Sequence, residues 1–174
     1  MLNINEKAPN FSGVQAYFNG EVKEVDLSYY KGSWLVLFFY PRDFTFVCPT
    51  ELRGFAKHEV DFKDLNCQIL AASTDSTWSH QNWFQRDLPE VKYPVISDTN
   101  HSLARSYEVL NENEGLAERG LFIINPEGLI KYILVSAGSV GRSVTETLRV
   151  LKALQSGDLC PLDWETGEKT LGKA

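Results

Sequence analysis

Leu35-Val36-Leu37-Phe38-Phe39-Tyr40-Pro41-Arg42-Asp43-Phe44-Thr45-Phe46-Val47-Cys48-Pro49-Thr50-Glu51-Leu52 is the stretch that decides the fold. Leu35 to Tyr40 is a continuous apolar run of strand length, the pattern of a strand covered on both faces. A short turn follows. Leu52, Phe55, Ala56 and Val60 then fall at helical spacing and predict an amphipathic helix from Pro49 to Phe62. Pro49 suits the first helical position, where its missing N–H would be unpaired anyway. Cys48 thus arrives where a helix begins, among free backbone N–H donors and at the positive end of the dipole. Both favour a thiolate, the reactive form of cysteine. The competing reading is a small buried apolar residue, the commoner fate of an intracellular cysteine.

Outward from this stretch, strands and helices alternate. Val14 to Phe18 and Val22 to Leu27 flank Asn19-Gly20, a two-residue hairpin signal. Cys67 to Ser73 reads as a second buried strand, Trp78 to Leu88 and Ser102 to Val109 as helices, and Val95-Ile96 as a short strand between them. Leu121 to Asn125 and Leu129 to Ser136 read as strands joined at Pro126-Glu127-Gly128. Arg119 becomes a cationic neighbour for Cys48 if its strand lies beside Leu35–Tyr40.

A last helix opens with the capping box Ser143-Val144-Thr145-Glu146, buries Val144, Leu148, Leu151 and Leu154, and stops at Gly157. A polar tail with little core material follows. The pattern predicts an α/β layered domain with the early hairpin packed at one end. Residues 1–174 are expected to form one domain, with 157–174 as its C-terminal tail.

Composition narrows the function. At 174 residues the chain is long enough to bury a core without staples. A net charge of −6 gives nucleic acid no electrostatic footprint. No apolar run approaches the roughly 20 residues of a membrane span. The start, Met1-Leu2-Asn3-Ile4-Asn5-Glu6, lacks the pattern of a secretory signal, so the cytoplasm is the expected compartment, where paired cysteines are more often catalytic than structural. Cys67 opens an apolar strand and reads as a buried small hydrophobe. Cys48, Cys67 and Cys160 are far apart, and His58, His80 and His101 lack ligand spacing, so no metal site is expected. No Cys-x-x-Cys is present, which argues against a general disulfide oxidoreductase. His80, with Trp83 three residues on, reads as helix packing, and Arg42 as solvated.

Pro41-x-x-x-Thr45-x-x-Cys48, set in Phe-Phe-Tyr-Pro-x-Asp-Phe-Thr-Phe-Val-Cys-Pro-Thr-Glu, resembles the active-site signature of the peroxiredoxins. Ala71 to Ser76, His80 with Trp83, Tyr93-Pro94, Ser97-Asp98, Arg119 to Ile124, Gly141-Arg142 and Gly157-Asp158-Leu159-Cys160-Pro161-x-x-Trp164 extend the resemblance over nearly the whole chain. It is similar to a typical two-cysteine peroxiredoxin of the bacterial alkyl hydroperoxide reductase C type. That resemblance implies a thioredoxin-like fold, a central mixed sheet flanked by helices, and a thiol peroxidase without a cofactor.

By the same resemblance Cys48 is the peroxidatic cysteine, Thr45 holds thiolate and peroxide, Arg119 stabilises the thiolate and polarises the peroxide, and Pro41 shields the site. Glu51 and Arg142 support it from behind. Cys160 of the partner subunit resolves the Cys48 sulfenic acid in a homodimer, five of which form a decamer. Thioredoxin or a flavoprotein disulfide reductase re-reduces the disulfide. A chaperone ring and a peroxide sensor are the competing classes. Leu88-Pro89-Glu90-Val91 stands where peroxide-sensitive eukaryotic members carry Gly-Gly-Leu-Gly, and no terminal Tyr-Phe helix follows, so fast resolution and resistance to overoxidation are expected.

Overall fold

The computed structural model describes residues 2–173. The central apolar run forms β3 (Trp34–Phe39), preceded by the hairpin β1 (Val14–Phe18) and β2 (Glu21–Val25). β4 (Cys67–Ser73), β5 (Val95–Ser97), β8 (Arg119–Ile124) and β9 (Ile130–Ser136) complete a seven-stranded mixed sheet in the order β2-β1-β5-β4-β3-β8-β9. β3 runs parallel to β4 and antiparallel to β8, with Leu37 opposite both Leu70 and Phe122. Leu35 to Phe39 are all buried, as the unbroken apolar run requires. Each such side chain contributes roughly 1.5–3 kcal/mol by leaving water.

Helices α1 (Cys48–Lys57) and α2 (Glu59–Asp64) cross from β3 to β4, and α3 (Thr77–Asp87) crosses from β4 to β5. These are parallel β-α-β crossovers of an α/β layered fold. The single helix expected over Pro49–Phe62 is instead two. His58 leaves helical geometry at φ −102°, ψ 12°, and its Nδ1 sits 2.6 Å from Asp61 Oδ2 in the first turn of α2. A short 3-10 turn, Leu27–Tyr30, follows β2 in place of the strand expected to reach Leu27.

α4 spans only Ser102–Ser106 rather than running to Val109, because Glu108 turns left-handed at φ 56°. The chain then enters a small hairpin, β6 (Leu110–Asn111) with β7 (Leu116–Ala117), which the sequence pattern did not reveal. Gly120 in β8 packs tightly: a Cβ there would lie 2.5 Å from Val109 Cγ1.

The described residues fall into two compact units, one ending at Arg142 and one beginning at Ser143. The second holds α5 (Val144–Ser156), capped by Ser143, whose hydroxyl accepts from the Glu146 N–H, and ended by Gly157 at φ 67°. Leu148 and Leu151 are buried, whereas Val144 and Leu154 are only half-buried. Among the described residues, the segment after α5 groups with it. Leu159 N–H donates to Gly172 and Leu171 N–H donates to Leu159, closing a narrow loop around buried Trp164.

Candidate active site

Cys48 is the first residue of α1, one position ahead of Pro49, and its side chain is 1% exposed. The loop after β3 carries it to the end of the sheet where strand-following loops converge, the usual place for a site in an α/β sheet. β8 lies antiparallel beside β3, so Arg119 at its start reaches the same place. Arg119 Nη1 lies 3.5 Å from Cys48 Sγ and donates to Glu51 Oε2 at 2.6 Å, while Nε donates to the Gly138 carbonyl at 2.9 Å.

Glu51 stands one turn after Cys48 on α1 and is itself buried. Its carboxylate receives a second guanidinium: Arg142 Nε reaches Oε1 at 2.7 Å and Nη2 reaches Oε2 at 3.0 Å, with the Arg142 backbone N–H adding a bond of 2.8 Å. Arg142 Nη1 donates to the Gly120 carbonyl, and its guanidinium carbon sits 5.2 Å from the centre of the Phe38 ring. Two guanidiniums thus surround one carboxylate in a buried pocket beside the sulfur. Buried charge that is not compensated is strongly unfavourable.

A cavity of about 350 Å³ opens over the sulfur, lined in part by Pro41, Thr45, Val47, Cys48 and Arg119 on one side and Leu116 of the β6–β7 hairpin on the other. Arginine has five N–H donors. Nε and Nη1 of Arg119 supply the three bonds just given; among the described residues Nη2 has no partner, and Arg119 lines the cavity. The Thr45 hydroxyl donates to the Arg42 carbonyl at 2.9 Å, not to the sulfur. Pro41 is half-buried at the cavity wall.

All three cysteines are free thiols. Cys67 is buried, and burial pushes its thiol up to about 12. Cys160, half-buried in the second unit, lies 3.4 Å from the Ser156 hydroxyl and donates weakly to the Ala153 and Asp158 carbonyls. Among the described residues no group of His, Cys, Asp and Glu gathers as a metal site, and no helix is long and apolar enough to cross a membrane.

Asp43 and His80 are a pair that sequence reasoning missed. Asp43 is 2% exposed and His80 0%. His80 Nδ1 lies 2.8 Å from Asp43 Oδ2, and the Tyr40 and Ser79 hydroxyls donate to the same carboxylate at 2.7 and 2.8 Å. Asp43 stands next to Arg42 and His80 between Ser79 and Gln81, so nothing in their local spacing marks either as buried or as the other's partner.

The AhpC/TSA family model matches residues 4–133. Peroxiredoxin prdx-2 of Caenorhabditis elegans is 48% identical over 177 residues, spanning 97% of this chain and 88% of that protein. The reduced 2-Cys peroxiredoxin of Plasmodium vivax superposes with a TM-score of 0.92 at 32% identity, covering 96% of this chain and 91% of that one. Enterococcus faecalis AhpC superposes at 0.87 with 38% identity, covering 92% of this chain and 100% of that one. Family model, relatives and thioredoxin-like neighbours agree with the buried, arginine-paired cysteine at a helix start: the chain belongs to the AhpC/TSA family and is a peroxiredoxin.

Proposed function

We propose that this peroxiredoxin reduces hydrogen peroxide and organic hydroperoxides through Cys48, with Cys160 of the partner subunit as the resolving thiol. The observation that carries this reading is the donor count at Arg119, a cavity-lining residue: Nη1 serves both the Glu51 carboxylate and the Cys48 sulfur, Nε serves the Gly138 carbonyl, and Nη2 has no partner among the described residues. The Cys48 sulfur, set at the helix start beside the guanidinium, attacks as the thiolate on one peroxide oxygen as the O–O bond breaks. The leaving oxygen develops negative charge, and a fixed cationic donor aimed at that position lowers the barrier. It departs as water or alcohol after taking a proton, leaving Cys48 as a sulfenic acid.

Glu51 and Arg142 act through Arg119. Their hydrogen bonds fix the guanidinium plane, and alignment of sulfur with the O–O axis depends on that plane. Pro41 shields the sulfur from bulk water. Thr45, on the cavity wall, turns its hydroxyl from Arg42 to the incoming peroxide and the sulfur.

The Cys160 thiol then condenses with the sulfenic acid, forming the S–S bond and releasing water. A dithiol protein, thioredoxin or a flavoprotein disulfide reductase, restores both thiols by exchange and leaves as its own disulfide. A second copy of the chain suits the surface: the edge strand β9 carries the half-buried Tyr132 and Leu134 and the exposed Val135, whereas the opposite edge, β2, carries Glu21, Lys23 and Glu24 and resists pairing. Homodimers, assembled as five into a decamer in the cytoplasm, complete the reading.

One equivalent of hydrogen peroxide tests the chemistry. In the presence of dimedone, mass spectrometry should find the adduct on Cys48, and without it a non-reducing gel should show a covalent dimer. A dimer that persists in Cys160→Ser, or an adduct on Cys67 alone, contradicts the assignment.

A further inference from the structure

Phe44 lies between the shielding proline and the cavity-lining threonine, and its backbone is left-handed at φ 56°. A bulky residue in that region is strained, and such strain persists only where its surroundings over-determine it. Those surroundings are on the page. On its N-terminal side, Asp43 is pinned from three directions by the Tyr40 and Ser79 hydroxyls and His80 Nδ1, and its backbone N–H donates to Asp75 Oδ2 at 2.9 Å. The Phe44 ring, half-exposed, sits 5.6 Å from the Trp83 ring and 5.2 Å from the Arg86 guanidinium carbon.

Ser79, His80, Trp83 and Arg86 all belong to α3, at the i, i+1, i+4, i+7 spacing of one helical face. That face therefore reads onto the turn that leads to Cys48. His80 is fixed in turn: Nε2 faces the Ile96 carbonyl at 3.2 Å and Nδ1 faces the Asp43 carboxylate at 2.8 Å. Asp75 is anchored by the Ser73 hydroxyl at 2.7 Å.

We infer that the buried Asp43–His80 pair, with Phe44 clamped beside it, is the positioning element that holds Pro41 and Thr45 against the Cys48 pocket. It touches neither sulfur nor peroxide; it acts by keeping a strained turn in place. The inference rests on the peroxidase reading of Cys48. A loop released from this pair leaves Cys48 and Arg119 where α1 and β8 put them, but lets Thr45 and Pro41 drift from the cavity. Peroxide attack requires alignment with those groups, whereas simple alkylation of the thiolate does not.

That difference is the test. Second-order rate constants for hydrogen peroxide and for iodoacetamide are measured on reduced wild-type protein, His80→Gln, Asp43→Asn and Asp43→Ala. The expected result is a tenfold or greater loss of the peroxide rate in His80→Gln and Asp43→Ala, alkylation within threefold of wild type, and partial recovery in Asp43→Asn, which keeps an acceptor for Tyr40. Parallel loss of both rates, or no loss of either, overturns the positioning role. Should Asp43→Ala fail to fold, His80→Gln and Asp43→Asn still decide the matter. Wild-type protein inert to peroxide would instead sink the peroxidase reading, a distinct outcome.

Discussion

A single nitrogen of Arg119 serves two partners: Nη1 lies 2.6 Å from Glu51 Oε2 and 3.5 Å from Cys48 Sγ. The carboxylate therefore sits at the centre of a buried charge cluster with Arg119 and Arg142, beside the sulfur. Removing its charge leaves two guanidiniums facing each other in a dry pocket. Glu51→Gln should lower the unfolding free energy by roughly 3–5 kcal/mol, the usual effect of breaking a buried pair from one side. Chemical denaturation measures this, and a change below ~1 kcal/mol would mean that the cluster is not the buried charge network described.

Cys67 should behave as the inert cysteine. Its thiol is raised to about 12 from 9.0, chiefly by burial, so the neutral form is the one that the fold accommodates. A thiol raised in this way contributes stability that is complete below pH 9 and is lost as pH climbs toward 12. Two results are expected. Native protein treated with iodoacetamide at pH 8 is modified at Cys48 and Cys160 before Cys67, by peptide mass spectrometry. The fall in Tm between pH 9 and 12 is shallower in Cys67→Ala than in wild type.

Much of the layout was legible in advance because it follows from local pattern. The unbroken apolar run of β3, Asn19-Gly20 between β1 and β2, and Ser143 and Gly157 at the ends of α5 each carry their own signal. What escaped depends on distant partners. The break at His58 and the left-handed turn at Glu108 interrupt helices whose apolar spacing continues past them. Asp43 and His80 are 37 positions apart, and only the fold shows that each is the other's partner. Arg119 was identifiable through its motif, but the sharing of Glu51 with Arg142 was not visible until β8 was seen beside β3.

The tail around Cys160 is held by Asp158, whose carboxylate accepts from the Thr170 hydroxyl at 3.0 Å and pairs with Lys173 at 2.8 Å. Lys173 foremost, and then Thr170, hold that carboxyl below its ordinary range, so the clasp is present above ordinary carboxylate pH and fails as pH drops through the lowered value. The pair is solvent-facing, and its effect is correspondingly small. Asp158→Ala should speed alkylation of Cys160 by roughly two- to fivefold at neutral pH while leaving Cys48 unchanged, as expected of an exposed pair. Equal rates in the two proteins would show that the clasp does not restrain Cys160.

Resistance to overoxidation is a further expectation. The segment after α3, Leu88 to Val91, lacks the glycines of sensitive relatives and is tied to α1 by Arg53, which reaches Glu90 Oε1 at 2.8 Å and the Asp87 carbonyl at 2.7 Å. Under turnover with millimolar peroxide, mass spectrometry should find Cys48 mainly as disulfide; a majority of sulfinate would contradict this.

The most direct test of the account is stopped-flow tryptophan fluorescence of the reduced protein mixed with excess hydrogen peroxide at neutral pH. The account predicts a phase whose rate rises linearly with peroxide, is absent in Cys48→Ser, and slows by about 100-fold or more in Arg119→Met, the scale seen when one transition-state donor is removed. A phase that survives in Cys48→Ser, or keeps its rate in Arg119→Met, would contradict the claim that this sulfur and this guanidinium carry the reaction.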